Sequence, residues 1–389
     1  MNPKHFKQNP HYLPPKHDEP ALHRAARLGD HQSIRRLVNE GDDINLPFDI
    51  GLDPGARSTL ATPLMIAAGS GDGARLETMR LLLELGANPL LNFGSGSIAR
   101  FAARGLGWNY FPGGDAGRLQ LSLNIGCDPN ETDKRGATLP ADSAATGDVD
   151  RVKILLKAGS NPNAAVTVAK TSPFPKIPGP PSNDNAPFSF QIPLHNAVDV
   201  DEIEMVTLLI AAGADIHAVD RSTRTALFSA RSPEVAQLLI DVGLDLEVRD
   251  WLGWSPLIAA INDGSLEEVK ALVSVGANVN ATHDRGFTVF MSAVSSSERS
   301  LEIMTFLAEA GANPKAVSEL GWNAFHAAID VNGPEANSEE SIRSTFELLT
   351  KLGVDIKHKD AQGVSPLERA QERGTEAEVK ALLELGAMS

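Results

Sequence analysis

The chain of 389 residues contains a single cysteine, Cys127, and aromatic residues make up 5% of it. One cysteine cannot build an internal disulfide framework or a cysteine zinc site. No apolar run approaches the roughly 18 residues that are needed to span a bilayer. The first residues, Met1-Asn-Pro-Lys-His-Phe-Lys-Gln, lack the apolar centre of a signal peptide. We therefore expect a soluble, cytoplasmic protein that has no membrane partner.

The motifs that usually carry catalysis are also missing. The sequence has no Gly-x-x-x-x-Gly-Lys-Ser/Thr phosphate loop, no His-Glu-x-x-His zinc helix and no Gly-x-Ser-x-Gly nucleophile elbow. The histidines His5, His11 and His17 near the N-terminus have no carboxylate spacing that would complete a metal site. We therefore predict no catalytic residues, no cofactor and no metal.

What the chain does contain is a recurring phrase. It reads Thr225-Ala-Leu-Phe, Ser255-Pro-Leu-Ile, Thr288-Val-Phe-Met and Ser365-Pro-Leu-Glu, and about twenty residues later each copy is followed by Leu-Leu-x-x-Gly-x-Asn/Asp or a close variant. The glycines that close the phrase are Gly41, Gly86, Gly126, Gly159, Gly213, Gly243, Gly276, Gly311, Gly353 and Gly386. The commonest step between them, 33 residues, is typical of stacked helical hairpins.

One copy, residues 255–280, shows why the phrase predicts two helices. Ser255 suits an N-cap because its hydroxyl can accept a hydrogen bond from a free helix amide, and Pro256 suits the first helical position. Gly264 ends the first helix, and residues 266–273 repeat the apolar spacing of a second. Gly276 then supplies the left-handed residue that closes it. Two short helices cannot bury their own apolar faces, so neighbouring copies must stack.

The chain resembles the ankyrin repeat family. The resemblance is carried by Thr62-Pro-Leu-Met-Ile-Ala-Ala, Pro193-Leu-His-Asn-Ala and Asn323-Ala-Phe-His-Ala-Ala, with alanine pairs that allow close stacking. It implies an all-α repeat solenoid of stacked helix-turn-helix repeats with short turn hairpins. We count ten repeats over residues 20–389 as one continuous domain, with a degenerate third repeat near residues 97–130.

The resemblance also assigns a structural role to two recurring residue types. His23, His195 and His326 occupy one repeat position, where the family's histidine bonds neighbouring backbone groups. Aspartates recur in the turn that precedes the first helix of a repeat, at Asp133, Asp250, Asp284 and Asp360. We expect these aspartates to brace the turn.

Departures from the 33-residue step predict loops. Insertions lie near residues 46–61, 164–190 and 331–341, and residues 1–19 form a tail rich in proline and histidine. The prolines between Lys170 and Phe190 exclude helix and paired strand, so that segment is either a tolerated surface loop or a proline-rich ligand.

Charge is distributed unevenly along the chain. The formal net charge is −15; residues 1–198 hold 20 Lys/Arg against 19 Asp/Glu, whereas residues 199–389 hold 15 against 31. An acidic surplus opposes binding to nucleic acid, because phosphates would be repelled. It favours a basic protein partner that approaches the C-terminal half. The alternative interpretation is that the charge only keeps a long repeat array soluble.

Candidate partner-binding residues follow from the resemblance, since partners of this family usually meet the turn tips and the exposed side of the first helices. Aromatic side chains at such tips bury much area at little entropic cost. The candidates are Trp251 as the main anchor, Leu252 and Leu320 beside it, Phe287 and Trp322 as partly structural residues, and Glu267 and Glu268 as rim carboxylates.

A second aromatic group, Trp108, Tyr110 and Phe111, lies in the degenerate third repeat. These side chains either fill a gap left by the poor repeat or serve as exposed anchors.

We therefore interpret the chain as a non-enzymatic protein–protein interaction module that binds a basic protein on its concave face. It would act as a neutralising or inhibitory partner or as a regulatory scaffold. The alternative is an enzyme or enzyme regulator whose site lies on an insertion loop, and the oligomeric state is not indicated by the sequence.

Overall fold

The computed structural model describes residues 19–50, 60–70, 75–93, 96–104, 115–132, 137–163, 192–296, 300–330 and 338–387, and these are mostly helical. The chain divides into two compact units, unit 1 ending at Arg221 and unit 2 beginning at Ser222. Within each unit the helices follow one another in pairs, and the two members of a pair pack together. This confirms the predicted all-α solenoid of helix-turn-helix repeats.

Five helix pairs lie in the described part of unit 1. They are α1 (Ala21–Leu28) with α2 (His31–Asn39), α3 (Pro63–Gly69) with α4 (Arg75–Glu84), α5 (Ile98–Arg104) with α6 (Ala116–Asn124), α7 (Leu139–Ala144) with α8 (Val149–Lys157), and α9 (Pro193–Asp199) with α10 (Ile203–Ala211).

The described part of unit 2 continues the pattern. A 3₁₀ helix (Ala226–Ser229) precedes α11 (Pro233–Asp241), and there follow α12 (Pro256–Asn262) with α13 (Leu266–Ser274), α14 (Val289–Ser295) with α15 (Leu301–Glu309), α16 (Ala324–Asp330) with α17 (Glu339–Lys351), and α18 (Pro366–Arg373) with α19 (Glu376–Glu384).

The pair α12–α13 forms for the reasons that its sequence predicts. The hydroxyl of Ser255 accepts a hydrogen bond from the amide of Ile258, and Pro256 occupies the first helical position. Ser265 caps α13 in the same way, and Gly276 after α13 has φ = 100°, in the left-handed region. First helices of successive pairs pack side by side, as α12 does with α14 and α14 with α16.

The first helix of the pair that ends with α11 is shorter than the 33-residue repeat predicts. It forms a 3₁₀ helix of four residues, Ala226–Ser229, and the next helix already begins at Pro233. The step between the closing glycines Gly213 and Gly243 is only 30 residues. In addition, a residue that precedes proline, here Ser232, disfavours the helical region. The repeat is therefore three residues shorter than the usual 33, and it is the first helix that is shortened.

The strands in the described residues are two residues long and lie between helix pairs. Strand β1 (Phe48–Asp49) pairs antiparallel with β2 (Leu60–Ala61), and β3 (Thr282–His283) pairs with β4 (Phe287–Thr288). An isolated bridge joins Thr132 to Thr138. The short turn hairpins predicted from the sequence are thus confirmed.

Buried arginines connect successive pairs in unit 1, a feature that the sequence analysis missed. Arg118 on α6 donates to the carbonyls of Ala67 (3.4 Å) and Ser70 at the end of α3. Arg151 on α8 donates to the carbonyl of Ala103 near the end of α5. Each arginine follows an aspartate by three residues, and Arg151 Nε lies 2.7 Å from Asp148 Oδ2. A cation at a helix C-terminus is also favoured by the helix dipole.

Asparagine side chains form a second connection between pairs. Asn163 Oδ1 accepts from the amide of Asp215 (2.7 Å), and Asn163 Nδ2 donates to the carbonyl of Gly213 (2.7 Å). Asn280 makes the same two contacts, to the Asn313 amide (2.8 Å) and the Gly311 carbonyl (3.0 Å). Asn163 and Asn280 each lie four residues after a closing glycine, and each joins neighbouring repeats as well as favouring its own turn.

Several predicted features lie wholly or partly outside the described residues. They are the tail up to residue 18, the insertion segments 51–59, 164–191 and 331–337, Trp108, Tyr110 and Phe111, and Asp133. The domain boundary at residue 20 and the insertions stay predictions. The degenerate third repeat nevertheless contains a helix pair, α5 with α6, and its closing Gly126 has φ = 99°.

Candidate partner-binding surface

Four turns of unit 2 share one register, because each leads into the first helix of a pair. They are residues 249–254, 282–287, 317–322 and 359–364, ahead of α12, α14, α16 and α18, and together we call them the tip ridge. In the first of them Asp250 Oδ1 accepts hydrogen bonds from the amides of Leu252 (2.9 Å) and Trp254 (3.0 Å). Asp360 braces the last turn in the same way, so the predicted role holds for both aspartates.

The second turn is built differently. His283 occupies the register position of Asp250, and its Nε2 lies 2.9 Å from Ser292 Oγ. Strands β3 and β4 close this turn as a tight hairpin, with Thr282 opposite Thr288. The predicted equivalent of Asp250 in this turn is Asp284, but the side chain of Asp284 is not among those described.

Backbone hydrogen bonds join successive tips. The amide of Trp251 donates to the carbonyl of Ser222 (3.3 Å), and the amide of Glu319 donates to the carbonyl of Arg285 (2.9 Å). The amide of Ala361 likewise donates to the carbonyl of Leu320 (3.0 Å). These bonds tie the third tip to the second and the fourth tip to the third, and they tie the first tip to the turn at Ser222, so the backbone of the tips is held in place.

Two of the apolar candidates are exposed on this ridge. Trp251 is 38% exposed and Leu320 is 37% exposed, whereas Leu252 is half-buried. Trp251 and Leu320 therefore present apolar surface on the first and third tips of the ridge.

Phe287 and Trp322 are half-buried and engaged within the protein. Their ring centroids lie 6.5 Å apart at 70°, and Phe287 also contacts His283 at 5.5 Å. The guanidinium carbon of Arg369 lies 4.3 Å from the centroid of the Trp322 ring, and Arg369 Nη2 lies 3.0 Å from Asp360 Oδ2. Both aromatic rings thus hold neighbouring tips together.

The two carboxylate candidates lie at the other end of α12 from Trp251. Glu267 is exposed on the first turn of α13, and Glu268 beside it is half-buried. Glu268 Oε1 lies 3.4 Å from Arg231 Nε; burial raises the pKa of this carboxyl, and Arg231 opposes the rise. Helix α12 has seven residues and a length of about 10 Å. Glu267 and Glu268 are therefore not brought together with Trp251.

The acidic surplus of unit 2 follows the second helices and not the tips. Helices α11, α13, α15, α17 and α19 carry many more acidic than basic residues. The acidic ones are Glu234, Asp241, Glu267, Glu268, Glu302, Glu309, Glu339, Glu340, Glu347, Glu376, Glu378 and Glu384, against Lys270, Arg343, Lys351 and Lys380. The charged side chains described as exposed on the tip ridge are Arg249, Arg285, Glu319 and Lys359.

The three repeat histidines make the backbone contacts that the resemblance implied. His23 Nε2 lies 2.9 Å from the carbonyl oxygen of Leu46, and His195 Nε2 lies 3.0 Å from that of Ala218. His326 Nε2 lies 3.1 Å from the carbonyl oxygen of Val364. Burial lowers the pKa of all three imidazoles. Their arrangement is that of structural side chains.

Among the described residues, no group of three or more His, Cys, Asp or Glu side chains is placed to hold a metal ion. Within the same part of the chain, no helix is long and apolar enough to cross a membrane. Cys127 is buried, and burial raises the pKa of its thiol to about 11, so the thiolate needed for nucleophilic chemistry is disfavoured.

Sequence comparisons match this geometry. The family profile described as "Ankyrin repeats (3 copies)" matches residues 231–318, and the profile described as "Ankyrin repeat" matches residues 60–92 and 191–221. The B-cell lymphoma 3 protein homolog of Mus musculus is 42% identical over 98 residues, which are 23% of this chain and 22% of that protein. Ankyrin repeat and SOCS box protein 6 of Homo sapiens is 33% identical over 119 residues, 28% of each chain. The chain thus spans less than a third of either relative.

Two solved structures are also similar. An ankyrin repeat domain from Acinetobacter baumannii AYE is 30% identical, with a TM-score of 0.40 that covers 50% of this chain and 98% of that one. The ankyrin repeat domain of Bcl-3 is 26% identical, with a TM-score of 0.44 over 64% of this chain and 99% of that one. Both TM-scores are below 0.5, so the likeness to ankyrin repeats depends on the sequence profiles and on the helix pairs described above.

Proposed function

This chain belongs to the ankyrin repeat family, and from that premise we propose that it is a non-enzymatic module that binds a protein partner on the tip ridge of unit 2. The observation that carries the proposal is the exposure of Trp251 on a turn that is fixed by Asp250 and by a backbone bond to Ser222. A large, rigid apolar side chain in a fixed position is the usual form of a binding hot spot.

The tips and the exposed side of the first helices form the concave side in this family, and we assign the contact to that side. The cytoplasm is the proposed setting. Either a neutralising partner or a regulatory scaffold would use this surface, since both roles require a rigid face that excludes water around an apolar anchor.

The acidic second helices support a basic partner, but they act at a distance. Charges outside the contact change the rate of encounter more than the stability of the complex. The acidic residues lie on the second helices, and we assign to them a faster encounter with the partner. Trp251 lies on the ridge, and we assign to it the stability of the bound complex.

The experiment uses the whole chain to capture the partner from the source cell. The purified partner is then titrated against the wild-type chain and against Trp251→Ala, and the two dissociation constants are compared. Truncating a buried interface tryptophan costs at least about 2 kcal/mol, or roughly thirtyfold in affinity. Leu383→Ala is the matched control, because Leu383 is 40% exposed on α19, away from the ridge. Equal affinity of Trp251→Ala and wild type would place the contact elsewhere.

A further inference from the structure

Arg285, at the crest of the second tip, has a backbone conformation that arginine does not favour. Its φ is 57° and its ψ is 32°, in the left-handed region, and the next residue, Gly286, has φ = 75°. This region costs an L-residue roughly 1–2 kcal/mol, and glycine adopts it without that penalty. The tight hairpin of β3 and β4 would thus be more stable with glycine at position 285.

Among the described side chains, none makes a contact with the guanidinium of Arg285 that would offset this cost. It is exposed, and among the described residues no carboxylate or carbonyl accepts its guanidinium. Two other arginines have acceptors: Arg249 Nη1 on the first tip lies 3.2 Å from the Gly253 carbonyl oxygen, and Arg224 Nε on the turn before the 3₁₀ helix lies 3.0 Å from Asp250 Oδ2. Arg285 thus presents five N–H donors in a planar fork to solvent.

The tip that carries this fork is firmly held. The carbonyl of Arg285 accepts the amide of Glu319 at 2.9 Å. A Cβ atom placed on Gly286 would lie 3.0 Å from the same Glu319 amide nitrogen, which shows how closely the two tips approach. The guanidinium therefore extends from a rigid base.

The order of packing places Arg285 between two apolar anchors. Trp251 precedes α12, Arg285 precedes α14 and Leu320 precedes α16, and α14 packs against both α12 and α16. Packed helices lie about 8–10 Å apart. In the polyproline II conformation a chain advances about 3.1 Å per residue with three residues per turn, so side chains three residues apart lie on one face, about 9 Å apart, and match neighbouring tips.

We propose that the tip ridge binds a segment of a partner protein, extended in the polyproline II conformation, through one carboxylate whose two oxygens accept two parallel N–H hydrogen bonds from the Arg285 guanidinium. Apolar side chains about three residues before and after that carboxylate contact Trp251 and Leu320. The segment thus has the pattern apolar–x–x–Asp/Glu–x–x–apolar, read in either direction. This inference rests on the proposed function and names the chemistry of its partner.

The charges on the ridge fit this assignment. Among the ridge residues whose side chains are described, the exposed basic ones are Arg249, Arg285 and Lys359, against the acidic Glu319. A partner that is basic as a whole still matches the ridge if it presents one carboxylate there, because its net charge acts on the second helices over a longer range. A bidentate arginine–carboxylate pair adds geometric specificity that a lysine cannot reproduce.

The test is a displayed library of random dodecapeptides selected on the full chain. We expect the selected peptides to contain the predicted pattern, and synthetic copies to bind Arg285→Gly at least about tenfold more weakly than wild type. Arg285→Gly should at the same time melt at a higher temperature, because glycine relieves the left-handed strain. A gain in stability together with a loss of affinity is not expected of a purely structural residue.

Controls separate the fork from its charge. Arg285→Lys should recover less than half of the lost binding free energy, since it keeps the charge without the fork, and Lys359→Gln should change affinity less than twofold. Selected peptides that lack acidic residues, no selected peptides at all, or equal binding to Arg285→Gly would each overturn the inference. If Trp251→Ala abolishes peptide binding while Arg285→Gly leaves it intact, the proposed function stands and this inference fails. If both variants bind the peptides as tightly as wild type does, the proposed function and this inference are both contradicted.

Discussion

At the scale of single residues, the tips show how a left-handed backbone position constrains the side chain. Gly253 and Gly321 occupy the same register position in two tips, and both have φ = 76°. A Cβ atom on Gly253 would have no neighbour within 4 Å, whereas one on Gly321 would lie 2.5 Å from the amide nitrogen of Ala361. An alanine at position 253 would therefore suffer backbone strain alone, whereas an alanine at position 321 would suffer the same strain and a steric overlap.

We expect Gly253→Ala to lower the free energy of unfolding by about 1–2 kcal/mol, the cost of the left-handed conformation alone. Gly321→Ala should lower it clearly further, because the Ala361 backbone must also move. Urea unfolding of both variants measures the difference. Equal losses would show that the tips are loose enough to absorb the overlap.

The buried histidines make stability depend on pH. Burial lowers the pKa of His195 below its usual 6.5 in the folded protein, so the unfolded chain takes up a proton first on acidification. The free energy of unfolding should thus be constant above about pH 7 and fall as the pH drops from about 6.5 towards the folded-state pKa. His23 and His326 act in the same direction.

Chemical denaturation between pH 5 and pH 8, within the range in which histidine titrates, measures this slope. His195→Gln keeps a donor for the Ala218 carbonyl but does not titrate, so its slope should be smaller than that of wild type. An unchanged slope would mean that His195 does not supply the linked proton.

Residue roles were predictable from sequence where the repeat itself defines them. His23, His195 and His326, with Asp250 and Asp360, make the contacts expected of their repeat positions. The exposed guanidinium of Arg285, which has no acceptor among the described residues, was not predictable, because it depends on a tip that is closed by a hairpin and not by an aspartate. No local pattern marks which arginine has an acceptor from a neighbouring repeat.

At the scale of elements, the helix pairs were predicted from the 33-residue step, and the connections between pairs were not. The acceptors of Arg118 and Arg151 lie 48 or more residues earlier in the chain. Periodicity within one repeat carries no information on such contacts. The 3₁₀ helix at Ala226–Ser229 is an intermediate case, since the 30-residue step indicated a shortening but not which helix would lose residues.

Arg151→Met should destabilise unit 1 by at least about 2 kcal/mol, because the Ala103 carbonyl and the Asp148 carboxylate would lose a buried charged donor. Arg343→Met is the matched control: Arg343 pairs with Glu347 at 2.9 Å, but its side chain is 67% exposed. Such surface pairs contribute little to stability, because solvent screens them. Similar losses for the two variants would contradict the role of Arg151 as a connector.

The contacts around the longest insertion predict that it can be shortened. Helix α7, before the insertion, packs against α9, after it. Asn163, also before the insertion, binds the Gly213 carbonyl and the Asp215 amide, which follow it. Deleting residues 171–186 should therefore leave the melting temperature within about 2 °C, because no described contact between these pairs is removed. Asn163→Ala, which removes both hydrogen bonds, should lower it by more. A large fall after the deletion would show that the segment itself stabilises the stack.

At the scale of the whole molecule, the sequence located the acidic surplus in the C-terminal half but not on a particular surface. Charge counts along a chain assign no side chain to a helix face or to a turn. In the structure the acidic residues follow the second helices, and Trp251 lies beyond the opposite end of α12 from Glu267. Trp251 and the acidic second helices are thus separate features. The first should act on the dissociation rate constant and the second on the association rate constant.

A basic partner should associate with this chain more slowly as salt is raised, because the Debye length falls from about 30 Å at 0.01 M to about 10 Å at 0.1 M. Replacing Glu267, Glu302 and Glu309 with glutamine should lower the association rate constant severalfold at low salt and have little effect at high salt. Trp251→Ala should instead raise the dissociation rate constant at every salt concentration, since it removes apolar contact and no charge. Surface-plasmon measurements with the purified partner resolve the two rates. If association does not depend on salt, the acidic second helices serve solubility alone, and only the anchor on the tip ridge remains as a binding determinant.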